Sequence, residues 1–256
     1  MYTKEQLEKW LEEVGSYVTK PMNIYMIGGC ALSFRGLKSV TKDIDIILTS
    51  QKDFDMFDTA IKKAGFTSMT ERESEFYLTA LSVYQKIDVD TRFLDDRSGR
   101  KGLGSHLRHK KSDESRIDVF LNQVGKMLRL TENMKKRSKL YKHYHNMAVY
   151  LVSNEDIFLF KAMTSREGDT LDCDRIMKEN LDYNLIYQEI VDQSINGKNW
   201  FFWVYESLCR LENYNNITIP IKNRMFALVK KHWKDRPSDF MSDVSNLEKH
   251  LPGKKL

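Results

Sequence analysis

The sequence predicts an α/β (α+β) fold class, in which a small mixed sheet flanked by helices is followed by an all-helical C-terminal half. Short aliphatic runs alternate with amphipathic helical patterns up to residue 152, which is typical of a sheet covered by helices. Beyond residue 152 the apolar residues recur only at helical spacing. With 256 residues, 41% of them hydrophobic, the chain is long enough for two modest domains. We therefore predict one domain over residues 1–152 and a helical domain over residues 153–256.

The first predicted elements are a helix, a strand and a short second helix. Thr3 and Gln6 have the spacing of a capping box. The apolar residues that follow at helical spacing are Leu7, Trp10, Leu11 and Val14. The run NIYMIG (23–28) is short, aliphatic and closed by glycine, as buried strands often are. A short helix is expected from the two glycines to about Phe34.

Three further strands are predicted in the first domain. They are DIDIIL (43–48), RIDVFL (116–121) and MAVYLV (147–152). The first of these is followed by a helical pattern with Ser50 at the N-cap position and Gly65 just beyond its end. The order strand, helix, strand, helix therefore opens the chain.

The remaining segments are predicted to be a loop, a tail and helices. A basic helix is expected around TENMKKRSKLYKH, a mobile loop over residues 95–114, and a frayed tail at HLPGKKL. In the second half, Ser153 and Asp182 occupy N-cap positions of helical patterns. One long helical stripe consists of Trp200, Trp203, Val204, Ser207, Leu208 and Leu211.

Composition narrows the class of protein. A net charge of +5 permits a polyanionic partner without requiring one. The cysteines Cys30, Cys173 and Cys209 have no metal-ligand spacing, and the first residues lack the apolar core of a signal peptide. No apolar run approaches the roughly 20 residues that cross a bilayer. We expect a cytoplasmic protein with reduced thiols and no membrane partner.

Two aspartates interrupt the second predicted strand. Side chains alternate along a strand, so Asp43 and Asp45 share one face, about 6.6 Å apart. Two ionised carboxylates on one face repel each other unless a positive group lies between them or water solvates them. Oxygen ligands of this kind favour Mg²⁺. From the pair alone, a metal site and a solvated pair are both open.

A third carboxylate strengthens the metal interpretation. Asp118 lies between apolar residues in RIDVFL, where an aspartate is costly to bury without a compensating partner. If its strand neighbours DIDIIL, three carboxylates converge, and metal held there would promote an in-line displacement. Asp90 in KIDVDTRFL, which shares a face with Asp88, is the rival third ligand. We prefer Asp118, because Asp90 adjoins a charged segment where water can solvate it.

Two glycines lie between the first predicted strand and the helix after it. At Gly28 and Gly29 the backbone can approach a phosphate closely, and free N–H groups begin the helix. A tight turn explains the same glycines without a ligand. The dinucleotide-binding and P-loop glycine motifs are absent from the sequence.

These residues resemble a known superfamily. Two glycines, then Asp-Ile-Asp on a strand and a later aspartate strand, resemble the nucleotidyltransferases. In particular, IYMIGGCALSFRGLKSVTKDIDIIL is similar to the small prokaryotic minimal nucleotidyltransferases, which are related to the abortive-infection toxin–antitoxin nucleotidyltransferases. The second glycine stands where a serine is common in the superfamily. The resemblance covers about residues 20 to 180.

The resemblance implies a nucleotidyltransferase-like fold and a role for each matching residue. It implies catalytic and Mg²⁺-binding roles for Asp43, Asp45 and Asp118. It implies nucleotide contacts for Gly28, Gly29 and Lys161, and we add Lys42 beside the first aspartate. In the family, a charged segment follows the lysine that Lys161 matches. The matching segment of this chain contains Arg166, Asp169 and Asp172. Lys161 can also be a surface lysine whose stem covers apolar neighbours.

Other cations and aromatics suggest contacts with anions. Arg35 and Lys38, together with Lys42, flank the first motif and could steer a nucleotide or RNA. The basic run KKRSKLYKHYH contains Tyr141 and Tyr144, which could stack on bases. Solvated surface positions explain all of them equally well.

Two classes of function follow from these residues. The first is an enzyme that moves a nucleoside monophosphate from an NTP to a hydroxyl of RNA, protein or a small molecule. The second is a non-catalytic nucleotide- or RNA-binding protein of the same fold, acting as a regulatory or toxin–antitoxin component with a cognate partner protein. A metal-dependent phosphodiesterase is disfavoured, because the sequence has no histidine-rich ligand set.

Overall fold

A seven-stranded mixed sheet forms the centre of the first part of the chain. The computed structural model describes residues 2–41, 43–68, 82–85, 116–124, 128–164, 166–194, 200–237 and 240. The strands are β1 (Met22–Ile27), β2 (Asp43–Leu48), β3 (Thr67–Ser68), β4 (Ser82–Gln85), β5 (Arg116–Leu121), β6 (Gln123–Val124), β7 (Leu128–Arg129), β8 (Lys139–Tyr144) and β9 (Met147–Leu151).

The helices lie before, between and after these strands. Those within the described residues are α1 (Lys4–Ser16), α2 (Gly28–Phe34), α3 (Gln51–Lys63), α4 (Glu132–Arg137), α5 (Asn154–Ala162), α6 (Glu167–Met177), α7 (Tyr183–Ser194), α8 (Phe201–Asn215) and α9 (Lys222–Lys231), with a 3₁₀ turn at Trp233–Asp235. The chain is therefore a mixed α/β protein. The strands predicted at 43–48 and 116–121 are confirmed, and the last predicted strand ends one residue early, at Leu151.

The sheet order brings β2 and β5 together although about 70 residues separate them in the sequence. The order is β3-β4-β5-β2-β1-β9-β8. The pairs β1/β9 and β2/β5 are parallel, and the other neighbours are antiparallel. Ile44 and Ile46, on the face of β2 opposite its aspartates, are fully buried. The aspartates of β2 and β5 therefore lie in the middle of the sheet.

The predicted helix starts are confirmed by their hydrogen bonds. Thr3 and Gln6 form both halves of the capping box of α1. Ser50 and Ser153 accept N-cap bonds from backbone N–H groups at the starts of α3 and α5. Asp182 accepts the backbone N–H of Leu185 at 3.1 Å, as a cap of α7 does.

The predicted basic helix over 131–143 is wrong in its second half. Helix α4 ends at Arg137, and the next residues form strand β8, which pairs antiparallel with β9. An irregularity of register at Tyr141 puts one extra residue into β8 and interrupts its alternation, so the sequence does not show a clear period of two. Strand β8 ends the strand order, and its exposed lysines Lys139 and Lys142 are common on such edges.

The chain divides into two compact units. The first comprises residues 1–126 and 135–152, and the second comprises residues 127–134 and 153–256. Residues 127–134, which the sequence assigns to the first domain, thus belong with the helices. Side chains of α7 bind them: Gln193 exchanges two hydrogen bonds with the backbone of Arg129, at 2.9 and 3.1 Å, and Thr131 donates to Glu189 at 2.8 Å.

The second unit has an aromatic and aliphatic core. Trp200, Phe202, Leu208 and Leu211 are fully buried, which confirms that the aromatic cluster at the start of α8 is core. From residue 153 onward, the described residues form helices and no strand. Within the described parts of the chain, no helix is both long and apolar enough to span a membrane.

Candidate functional site

Strand register brings the predicted carboxylates to one face of the sheet. In the parallel pair β2/β5, Asp45 lies opposite Asp118, and Asp43 lies opposite Arg116. Residues opposite each other in neighbouring strands, about 4.8 Å apart, project to the same face. Asp118 is 7% exposed, and Asp43 and Asp45 are half-buried. Asp118 therefore lies beside the Asp-Ile-Asp pair, as the sequence predicts, whereas Asp88 and Asp90 lie outside the described residues.

The three carboxylates do not form a ready-made metal cage. In the parts of the chain that the structure describes, no group of three or more His, Cys, Asp or Glu side chains is arranged to hold a metal ion. Protein Mg²⁺ sites often use only one or two carboxylates, with water and substrate phosphates completing the shell. An all-oxygen set of Asp45 and Asp118, with Asp43 one pleat away, has that chemistry.

Gly28 fits closely against the Asp45 carboxylate. A Cβ at Gly28 would lie 2.2 Å from Asp45 Oδ2 and 3.1 Å from its Cγ, so no other residue fits without moving the carboxylate. The backbone of Gly28 also has a φ of 65°, in the left-handed region. The first glycine of the motif and the second aspartate are thus in direct steric contact. This is the structural link between the two motifs.

The second glycine makes room for a different pair of groups. A Cβ at Gly29 would lie 2.8 Å from Thr41 Oγ1 and 3.3 Å from Lys38 Nζ. The Thr41 hydroxyl donates to the backbone oxygen of Asp43 at 3.1 Å. Helix α2 spans only seven residues, so its dipole is weak, and the turn offers mainly an approachable backbone. The glycine turn is therefore flanked by a carboxylate, a hydroxyl and an ammonium group.

Cys30 and Thr41 belong to this site although sequence reasoning does not assign them to it. The Cys30 thiol donates to the backbone oxygen of Ile27 at 2.9 Å, and its sulfur accepts the backbone N–H of Asp45 at 3.3 Å. Cys30 is fully buried and so connects the start of α2 to β2. The sequence signal was position alone: Cys30 follows the glycines, and Thr41 precedes Asp43 by two residues.

Lys161 lies in the second unit, in a cluster of buried charges. Its ammonium is 2.5 Å from Asp169 Oδ1 and 3.1 Å from Asp172 Oδ2. The same two aspartates also pair with Arg166 at 2.6 Å and with Arg175 at 2.8 Å. The side chains of Asp169 and Asp172 are 4% and 1% exposed. The structure thus brings together Lys161, Arg166, Asp169 and Asp172, as one ionic cluster.

The charges of this cluster stabilise one another. Burial alone would raise the pKa of Asp169, but the Lys161 charge, with hydrogen bonds from Lys161 and Thr164, holds that pKa below its ordinary value. Lys161 is therefore already neutralised by carboxylates of its own unit. Its contact with phosphate stays a prediction, and this geometry does not favour it.

The other cations and tyrosines divide into three groups. Arg35 donates from Nη2 to the backbone oxygens of Leu151 and Val152, which fastens α2 to the end of β9. Lys42 lies outside the described residues. Tyr144 is 1% exposed beneath α1, so its ring is not presented for base stacking. Tyr141 is half-buried and its hydroxyl donates to Glu8, so stacking on its ring stays a prediction.

No protein-family model matches the chain, and the comparison with curated proteins gives no match either. Function is therefore inferred from the residues of the site and from the resemblance of its motifs.

Proposed function

We propose that this protein is a Mg²⁺-dependent nucleotidyltransferase that moves a nucleoside monophosphate from an NTP to a hydroxyl of RNA, protein or a small molecule. The single observation that carries the proposal is the register of β2 and β5, which sets Asp45 opposite Asp118 beside the Gly28 turn. The motif resemblance supports the same activity. The nucleotidyltransferase-like fold that the resemblance implies is part of the same proposal.

The residues present fit the metal that the resemblance implies. Asp43, Asp45 and Asp118 supply only oxygen atoms, and the absence of a Cβ at Gly28 leaves the Asp45 carboxylate room beside the turn. Bound there, Mg²⁺ would neutralise phosphate charge and favour the departure of pyrophosphate.

The chain's own groups have distinct tasks in the reaction. The acceptor hydroxyl attacks the α-phosphorus, a new P–O bond forms, and the bond to pyrophosphate breaks with its electron pair. Asp118 accepts the hydroxyl proton, because its carboxylate lies opposite Asp45, where the acceptor hydroxyl would approach the α-phosphate. Gly28 and Gly29 let the backbone approach the phosphates. The Gly28 contact and the Cys30 bond hold Asp45 in place.

A non-catalytic nucleotide- or RNA-binding role is the second candidate. It is favoured by one observation: the described residues contain no group of three acidic, His or Cys side chains arranged to hold a metal. Such a protein would act with a cognate partner protein, as a regulatory or toxin–antitoxin component. For either candidate we place the protein in the cytoplasm, since no disulfide joins its three cysteines, all of which the structure describes.

The decisive experiment measures transfer of label. The protein is incubated with Mg²⁺, one α-³²P-labelled NTP at a time, and total RNA, protein extract or small hydroxyl compounds as acceptors. We expect label on one acceptor class, and a loss of at least about a hundredfold in Asp45→Asn, because a metal ligand is worth several kcal/mol.

Asp55→Asn is the matched control, since Asp55 is an exposed aspartate of α3 in the same unit, bonded to Gln51. It should transfer like the wild type. Transfer retained in Asp45→Asn would overturn the enzyme. NTP binding that needs no Mg²⁺ and survives Asp45→Asn in calorimetry would support the second candidate instead.

A further inference from the structure

We infer that Lys38 binds the triphosphate of the incoming nucleotide at the Gly28–Gly29 turn. The inference rests on the proposed function and adds a phosphate-binding residue to it. The superfamily resemblance instead assigns a nucleotide contact to Lys161, in the second unit.

The first support is the position of the Lys38 ammonium. Its Nζ lies 3.3 Å from the position that a Cβ would take on Gly29, and Thr41 Oγ1 lies 2.8 Å from the same point. A side chain at residue 29 would displace the Thr41 hydroxyl and crowd the Lys38 ammonium. Glycine at this position therefore leaves the ammonium directly beside the backbone of the turn.

The second support is the negative charge of the carboxylates beside Gly28. The Asp45 carboxylate lies against Gly28, so consecutive glycines have a carboxylate beside one and an ammonium beside the next. Asp118 adds another carboxylate opposite Asp45. A triphosphate brings several negative charges to a surface that already has three aspartates. A cation at Gly29 lowers the electrostatic cost of that approach.

The third support comes from the other cations named in the sequence. The Arg35 guanidinium donates to the backbone oxygens of Leu151 and Val152. The Lys161 ammonium lies between Asp169 and Asp172. The Lys38 ammonium, in contrast to these two groups, lies beside Gly29 in the described part of the chain. A lysine acts on phosphate as a point charge and forms no covalent bond in this role.

This role predicts an effect on triphosphate affinity rather than on nucleoside recognition. Lys38→Gln removes the charge and keeps a polar side chain of moderate length. We expect at least about a tenfold weaker affinity for NTP and for inorganic tripolyphosphate, the usual effect of losing a charged hydrogen bond. Affinity for the matching nucleoside monophosphate should change less than about twofold, and Lys38→Arg should recover much of the loss.

The test is calorimetry with Mg²⁺ on the full chain, using each common ribonucleoside triphosphate, its monophosphate and tripolyphosphate. Lys20→Gln, an exposed lysine of the same unit, is the control and should bind like the wild type. Thermal unfolding of each variant establishes that it is folded.

The outcomes separate this inference from the proposed function. Unchanged triphosphate affinity in Lys38→Gln would overturn the role of Lys38, while label transfer and its loss in Asp45→Asn would still support the enzyme. Equal weakening of monophosphate and triphosphate, with a lower unfolding temperature, would show a structural role and also overturn it. A wild-type protein that binds no NTP overturns both.

Discussion

The two acidic regions of this protein balance their charges in different ways. In the second unit, Asp169 and Asp172 each have a lysine or arginine nitrogen within 3.1 Å. In the first unit, strand pairing places Asp45 directly opposite another aspartate, Asp118. One arrangement neutralises buried acids within a single unit. The other sets two aspartates opposite each other on neighbouring strands.

Under the proposed function, the acids of the second unit stabilise the fold, whereas those of β2 and β5 bind a ligand. A buried acid between cations stabilises the protein, and its removal leaves charges uncompensated. Like charges directly opposite each other on neighbouring strands repel, and a cation bound between them would reduce that repulsion. Functional sites are where such costs are commonly found. We therefore expect a change of charge in the ionic cluster to act mainly on stability, and a change of charge at Asp45 or Asp118 to act mainly on label transfer.

The largest expected effect on stability is that of Lys161→Met. The change leaves two nearly buried carboxylates, those of Asp169 and Asp172, without their shared cation. We expect the free energy of unfolding to fall by about 3 kcal/mol, measured by urea denaturation. Lys178→Met is the matched control in the same unit, since Lys178 is 71% exposed in its pair with Asp174. That change should cost less than about 1 kcal/mol.

The same variant tests the role that the resemblance implies for Lys161. If Lys161→Met unfolds like the wild type but binds NTP weakly, Lys161 is a phosphate ligand. It then does not stabilise the fold by neutralising Asp169 and Asp172.

An intermediate effect is expected for Gly28→Ala. The added methyl group meets the Asp45 carboxylate, and alanine is strained at a φ of 65°. We expect a loss of about 1–3 kcal/mol in unfolding free energy, together with loss of transfer. Gly36→Ala is the control, because Gly36 has a φ of 77° but nothing within 4 Å of an added Cβ. The difference between the two variants measures the contact with Asp45.

A double variant checks the cause of that difference. Combining Gly28→Ala with Asp45→Ala removes the carboxylate and should recover the part of the loss that is due to contact. Strictly additive losses in the cycle would show that the contact is unimportant.

The smallest expected effect has the opposite sign. Asp118→Asn removes one of two like charges that face each other, so the unfolding free energy should rise by up to about 1 kcal/mol without Mg²⁺. Label transfer should fall in the same variant. The unfolding free energy is measured by urea denaturation at neutral pH.

Asp58→Asn is the contrasting control in the same unit. Asp58 accepts hydrogen bonds from Lys62 at 2.8 Å and from the Tyr84 hydroxyl at 2.7 Å, so its removal should lower stability. If Asp118→Asn lowers stability as Asp58→Asn does, Asp118 is a structural residue.

Much of the first unit could be predicted from local sequence signals. The capping residues Thr3 and Ser50 act through neighbours three residues away, and the strand around Asp43 and Asp45 follows from alternation. The sequence alone does not show whether β5 lies next to β2, because strand order depends on contacts far apart in the chain. The prediction that Asp118 joins the other aspartates therefore depended on that pairing. The structure has the pairing, with Asp118 opposite Asp45.

The remaining features depend on distant or irregular contacts. The bulge at Tyr141 hides the period of strand β8. The partners of Lys161 lie on the next helix, the nearer of them eight residues further on. The place of residues 127–134 depends on Gln193, 64 residues from Arg129. Nothing in the local spacing of these residues indicates which distant group will bind them.

Residues 127–134 belong to the second unit although they lie between two segments of the first unit in the sequence. This matters when the protein is divided into fragments. The chain passes between the units three times, at residues 126–127, 134–135 and 152–153, so neither unit is one continuous piece of sequence. A chain cut after Val152 would keep residues 127–134 but lose Glu189 and Gln193, which bind them. The released helices would lack the segment that covers Gln193. Gene fusions, split reporters and domain exchange should therefore keep both units together, over residues 1–256.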